Sequence, residues 1–278
     1  MSFSRRLPVS RRSPRLADFT NRLRWLPEDT IAALSFFSRV PVETPPSVFD
    51  LRQISGAWPI AGLLIAVTPA MIVVVNCWLG IPALVTAFLA IAAGIALTWA
   101  LHEDGLADTF DGLGGRGAKA ARLAVMRDSR LGTYGGLALV LSLLIKGAAL
   151  AALIHRPSHA VLALLGAAMI SRALALWHWS ATPPARRDGF AFKAGQPDST
   201  ALQIGLLSGL IAAIVLLIAF GFAGLFALLL AGLAIGLFSP LTNRRLGGHT
   251  GDTIGAAQQI TETLLFVGLS AGSTTIIV

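Results

Sequence analysis

A single cysteine, Cys77, in a chain of 278 residues excludes an internal disulfide framework and a cysteine-built metal cage, and its apolar neighbours argue against redox chemistry. Charge is almost as scarce. Only 13% of the residues are Asp, Glu, Lys or Arg, against about 25% in an ordinary soluble domain. Nine basic side chains fall within the first 55 residues, so the remainder of the chain is nearly uncharged and does not read as a water-soluble globule. The net charge of +8 is not taken as a nucleic-acid footprint, because a basic membrane protein concentrates its excess in the loops on one side of the bilayer.

Long apolar runs are what the chain does have. A hydrocarbon core about 30 Å thick needs roughly 17 to 25 mostly apolar residues per helical crossing. Seven such runs occur, near 57–78, 83–101, 134–155, 160–180, 202–221, 223–240 and 257–278. The last is the weakest, since it opens with polar residues and carries Glu262. The expectation is an all-α polytopic integral membrane protein with about seven transmembrane helices, within a range of six to eight. With a cytoplasmic N-terminus, alternate crossing puts 1–56, 102–133, 181–201 and 241–256 on one side, and these hold 19 of the 22 Lys and Arg residues. Five tryptophans, Trp58, Trp78, Trp99, Trp177 and Trp179, stand near the ends of the expected spans, where amphipathic rings favour the interface.

Residues 1–25, rich in arginine and serine, are expected to be a disordered basic tail held against anionic headgroups, although their composition also suits a transit peptide. No apolar h-region follows, so a secretory leader is not expected. Residues 30–41 suit a short interfacial helix, and 26–278 form one membrane-embedded catalytic domain.

Of only ten aspartates, three fall within eight residues, at Asp104, Asp108 and Asp111 in HEDGLADTFDG. On a helix these positions lie within an arc of roughly 60°, so the carboxylates share a face and repel unless a cation intervenes. Oxygen-only ligands suit Mg²⁺, which takes one or two carboxylates together with substrate phosphates and water. A solvated acidic patch at a helix end is the plainer alternative. His102 points about 160° away from Asp104 on an unbroken helix and is no obvious ligand.

Three further segments on the same expected side surround arginines with small residues and one aspartate: RDSRLGTYGG, PPARRDG and RRLGGHTGD. Arginine's planar fork matches phosphate oxygens, and glycine-rich turns such as Gly247–Gly248 can present amides to an anion. Each segment alone also satisfies the positive-inside bias. Together with the aspartates they suggest a polyphosphate site built from Arg127, Arg130, Arg186, Arg187, Arg244 and Arg245. Lys146, Arg172 and Glu262 lie inside spans, and nothing in the sequence decides their roles.

In this order, HEDGLADTFDG, MRDSRLGTYGGLAL, SRA, PARRDG and RRLGGHTGDTIGA resemble the motifs of the cobalamin synthase family, the adenosylcobinamide-GDP ribazoletransferases, from about Ala33 to Glu262. The resemblance implies a Mg²⁺-dependent transferase of the bacterial inner membrane with its active site facing the cytoplasm. Its substrates would be adenosylcobinamide-GDP and α-ribazole or the 5′-phosphate of α-ribazole, with GMP released. It further implies a metal site from Asp104, Asp108, Asp111 and Asp128, with Asp252 orienting a ligand or taking the attacking proton. No nucleic acid is involved, the bilayer is a partner, and a homo-oligomer is left open. Two other readings fit the sequence less well. A CDP-alcohol phosphotransferase is disfavoured because DGLAD lacks that family's arginine, and an ion-coupled transporter because its carboxylates would sit near the bilayer midplane.

Overall fold

The computed structural model describes residues 16–42 and 50–272. Thirteen α-helices are found there: α1 (Leu16–Leu23), α2 (Leu26–Phe37), α3 (Leu51–Ile54), α4 (Trp58–Trp78), α5 (Ala83–Thr98), α6 (Leu101–Gly114), α7 (Lys119–Val125), α8 (Thr133–Ile154), α9 (Pro157–Ala181), α10 (Gly189–Ala194), α11 (Ser199–Phe220), α12 (Phe222–Leu246) and α13 (Gly251–Leu269). Extended pairing among the described residues is limited to one bridge between Pro184 and His249. The all-α class therefore holds. The expected tail needs correction at its end, because residues 16–23 form α1, while the arginines through Arg15 lie outside the described residues.

Five helical segments among the described residues are long and apolar enough to cross a bilayer: Leu51–Trp78, α8, α9, α11 and α12. A sixth is reached only if α5 and α6 are counted as one span, yet these meet at 90°. The reason lies at Trp99 and Ala100, both with φ of +55°, a left-handed conformation uncommon outside glycine. No Gly or Pro marks the turn in the sequence, so the expected straight run through residue 101 gave no sign of it. α5 and α6 are therefore a sharply bent pair rather than one straight crossing helix.

The seventh expected run differs too. α13 begins at Gly251 rather than 257, and its Gln258, Gln259, Thr261 and Thr263 are buried against other helices instead of facing lipid. Lipid-facing positions are instead leucine, isoleucine and valine on α4, α5, α8, α11 and α12, such as Val67, Leu141, Ile211 and Leu233, an apolar exterior suited to hydrocarbon.

Helices pack closely where small residues meet. A Cβ on Gly62 of α4 would stand 2.7 Å from the Ala168 carbonyl oxygen of α9, and one on Gly166 of α9 would stand 2.8 Å from the Leu216 side chain of α11. Inside the bundle, Lys146 Nζ of α8 donates to Glu262 Oε2 at 2.6 Å and Gln259 Oε1 at 2.7 Å, and Gln259 Nε2 donates to Glu103 Oε1 at 2.8 Å. This network ties α6, α8 and α13 together and gives Lys146 and Glu262 the partners each needs in a low-dielectric interior.

Candidate active site

The acidic cluster forms where α6 crosses the first turn of α13. The crossing is close because residue 105 is glycine: a Cβ there would lie 2.7 Å from the Asp252 carbonyl oxygen. Thr250 caps α13, accepting from the Thr253 amide at 3.2 Å and donating to Asp252 Oδ2 at 3.2 Å, which fixes the aspartate at the helix start. Asp104 is exposed and Asp108 half-buried. Burial, then the charges of Asp104, Asp252 and Asp111, push the Asp108 carboxyl up to about 7, with Arg186 opposing. Asp252 is raised as well, chiefly by burial, and Arg186 Nη2 lies 3.9 Å from its Oδ2.

The third aspartate of the motif has another task. Asp111 is buried, and its two oxygens accept the amides of Gly132 and Gly135, each at 2.8 Å, at the start of α8. Both glycines are required, since a Cβ at either position would collide with the Asp111 carboxylate. Asp128, the fourth expected ligand, stands on the surface in a bidentate pair with Arg130, which holds its carboxyl down at about 2. Among the described residues no three His, Cys, Asp or Glu side chains converge closely enough to hold a metal ion, so the expected three-aspartate grip is not formed. Asp104 and Asp108 on α6 and Asp252 on α13 act on one another, and Asp111 adds a smaller contribution at Asp108.

Beside this corner lies an open groove of about 570 Å³ lined by Arg127, Arg186 and Arg187 with α7 as its floor. Arg186 Nη2 also donates to the Leu123 carbonyl at 3.3 Å, and Arg127 pairs with Asp188 at 2.5 Å. Three guanidinium groups next to mutually repelling carboxylates form a place for a phosphate chain to bridge the two signs of charge.

A family profile described as cobalamin-5-phosphate synthase matches residues 29–270. The chain belongs to that family. Relatives named adenosylcobinamide-GDP ribazoletransferase include one from Rhizobium etli (strain CIAT 652), 45% identical over 251 residues that cover 87% of this chain and 96% of the relative. Others are from Sinorhizobium medicae (strain WSM419), 45% identical over 253 residues with the same coverage, and Rhizobium meliloti (strain 1021), 42% identical over 258 residues, covering 89% and 98%. No solved structure gives a significant match.

Within this cobalamin-5-phosphate synthase family member, the remaining expected residues sort differently. Arg244 and Arg245 are exposed in the last turn of α12, and neither is among the charges acting on Asp108 or Asp252. The Gly247 and Gly248 amides do not form an anion nest, because they close the C-terminus of α12 on the Thr242 and Asn243 carbonyls. Their left-handed φ values, +80° and +135°, turn the chain so that the His249 amide reaches the Pro183 carbonyl at 2.8 Å, binding the RRLGG segment to PPARRDG. Arg130, 87% exposed at its side chain, pairs with Asp128 alone.

Two tryptophans also depart from the interfacial expectation. Trp58 and Trp179 are buried and stacked, with ring centroids 5.2 Å apart, whereas Trp78 and Trp99 are exposed as interface anchors should be. Sequence reasoning missed these two, and Phe37 beside them, because a tryptophan at a span end looks the same whether it turns to lipid or to protein.

Proposed function

We propose that this chain completes the nucleotide loop of cobalamin. The 5′-hydroxyl oxygen of α-ribazole attacks the phosphorus bonded to cobinamide in adenosylcobinamide-GDP. The new P–O bond forms as the bond to the GMP phosphate breaks, GMP leaves with the bond electrons, and the hydroxyl proton passes to a base. The observation that carries this is the adjacency of the Asp104, Asp108 and Asp252 corner to the Arg127, Arg186 and Arg187 groove. A diphosphate needs both halves, because such transfers depend on positioning and charge stabilisation.

The donor set suits a divalent cation of the Mg²⁺ kind. All the groups are oxygens, and a cation would offset the burial and mutual repulsion that together lift Asp108 to about 7. Asp104 and Asp108 would hold it, since Mg²⁺ needs no more than one or two carboxylates when phosphates and water complete its shell. When bound, the ion supplies charge neutralisation at the bridging phosphate oxygens. Asp252 receives the attacking proton, being raised by burial and held by the Thr250 hydroxyl two residues before it. Arg186 orients both Asp252 and the departing phosphate, while Arg127 and Arg187 bind the GMP phosphate.

The site faces the cytoplasm of the bacterial inner membrane in this reading. The ends of α5, α9 and α12 and the starts of α8 and α13 meet there, and the intervening loops carry the lysine and arginine excess. Purified protein in detergent, given adenosylcobinamide-GDP, α-ribazole and Mg²⁺, releases GMP in equal amount to the cobalamin formed. GMP release that does not require α-ribazole, or no release at all, refutes the assignment.

A further inference from the structure

A second cavity, of about 250 Å³, opens beside Asp104 and Asp252 and runs inward between α2, α4, α6, α9 and α13. Its wall is aromatic. Trp58 stacks on Trp179 with 15° between the ring planes, Phe37 meets Trp58 edge-on at 5.1 Å, and Phe37 stacks on His102 at 5.4 Å. Three side chains lining it each carry a buried polar atom with no hydrogen-bond partner: Trp58 Nε1, Arg172 Nε and Gln258 Oε1. These residues are 4%, 3% and 2% exposed, so each unmet atom is costly in this setting unless a ligand or water completes it.

We propose that this cavity is the acceptor site, holding the bicyclic aromatic base of α-ribazole with its 5′-hydroxyl directed to the Asp104–Asp252 mouth. The assignment rests on the transfer reaction inferred above and names which substrate enters from which side. Size is the first argument. The volume falls just below the range of small-molecule pockets, roughly 300–1,000 Å³, which suits a nucleoside base and is far too little for a corrin macrocycle. The corrinoid therefore stays outside and presents only its phosphate.

Hydrogen bonding is the second argument. The benzimidazole ring of α-ribazole has no N–H and one acceptor nitrogen, which can accept from either Trp58 Nε1 or Arg172 Nε, leaving the other to a ribose oxygen. The sugar hydroxyls can donate to Gln258 Oε1. Guanine could meet the two unmet donors with O6 or N7, but it brings three N–H donors, N1–H and two on N2, to a wall with one unmet acceptor, Gln258 Oε1, and so leaves at least one of its own N–H groups unpaired. An aromatic wall stacks on any planar base, and the scarcity of unmet acceptors supplies the choice.

The test uses the full-length protein in detergent. Ala191, half-buried at the cavity wall, is changed to Phe to fill the space from the α10 side. Ala191→Phe is expected to raise KM for α-ribazole about tenfold or more while KM for adenosylcobinamide-GDP stays within about twofold. Independently of turnover, α-ribazole added alone to the wild-type protein is expected to quench tryptophan fluorescence in a saturable way, and GMP at the same concentration is not. A raised KM for adenosylcobinamide-GDP instead, or saturable quenching by GMP and none by α-ribazole, overturns the assignment and leaves the transfer reaction standing. Quenching by α-ribazole without GMP release under any condition overturns the reaction and keeps the nucleoside pocket.

Discussion

Gly105 and Asp252 share a contact so close that no side chain fits between them: a Cβ on Gly105 would sit 2.7 Å from the Asp252 carbonyl oxygen and 3.1 Å from its Cα. Two carboxylate-bearing helices thus meet backbone to backbone. Gly105→Ala is expected to push α13 away from α6, at a cost of about 1–3 kcal/mol in stability, and to lower kcat further than the stability loss explains. Thermal unfolding and steady-state GMP release on the same preparation check this. An alanine variant with wild-type kcat would show that the crossing does not set the catalytic geometry.

Asp108→Asn is expected to abolish turnover while leaving metal-free protein at least as stable as wild type at pH 8. The sign follows from its raised carboxyl. The stability associated with protonated Asp108 is fully present below the ordinary value of 3.8 and is lost as pH rises through about 7, where a third negative charge appears beside Asp104 and Asp252. Unfolding of metal-free wild-type protein across pH 4 to 8 should therefore show a steeper decline than the variant, which keeps only the contribution of the raised Asp252. A parallel decline in both would place the repulsion elsewhere.

Asp111→Asn is predicted to act on folding. Two backbone amides bond to its carboxylate, and hydrogen bonds to charged groups contribute about 1.5–3 kcal/mol each. The asparagine amide group would oppose one of those donors. A drop in the unfolding midpoint checks it, and an unchanged midpoint with lost activity would return Asp111 to the chemistry.

Arginines that looked alike in sequence should separate in kinetics. Arg186→Ala is expected to raise KM for adenosylcobinamide-GDP about tenfold or more, since it removes a charge-assisted partner of the phosphates. Arg130→Ala, which breaks a solvent-exposed surface pair, should change neither KM nor stability appreciably. Equal effects would contradict the placement of the phosphate groove.

Apolar run length made the helical bundle legible, and most helix boundaries fall within a few residues of the runs. The α-helical period also put Asp104 and Asp108 on one face without help from the fold. What the sequence concealed was decided by contacts between distant segments. The bend at Trp99 and Ala100 has no local breaker, and α13 reads as a marginal span because its polar residues find partners such as Lys146 and Glu103 only in three dimensions. Asp111 is chemically identical to Asp108, yet the α8 amides claim it. Gly247 and Gly248 have the composition of an anion nest, but a helix C-terminus has already taken their N–H groups.

The proposed divalent metal site at Asp104 and Asp108 is the point on which the chemistry turns, and electron paramagnetic resonance of Mn²⁺ titrated into the purified protein reads it without any turnover. Wild-type protein is expected to bind Mn²⁺ in competition with Mg²⁺, with affinity rising when adenosylcobinamide-GDP is added, and both Asp104→Asn and Asp108→Asn should lose that binding while Asp128→Asn keeps it. Undiminished Mn²⁺ binding in the Asp104 and Asp108 variants would contradict the assignment of the metal to α6.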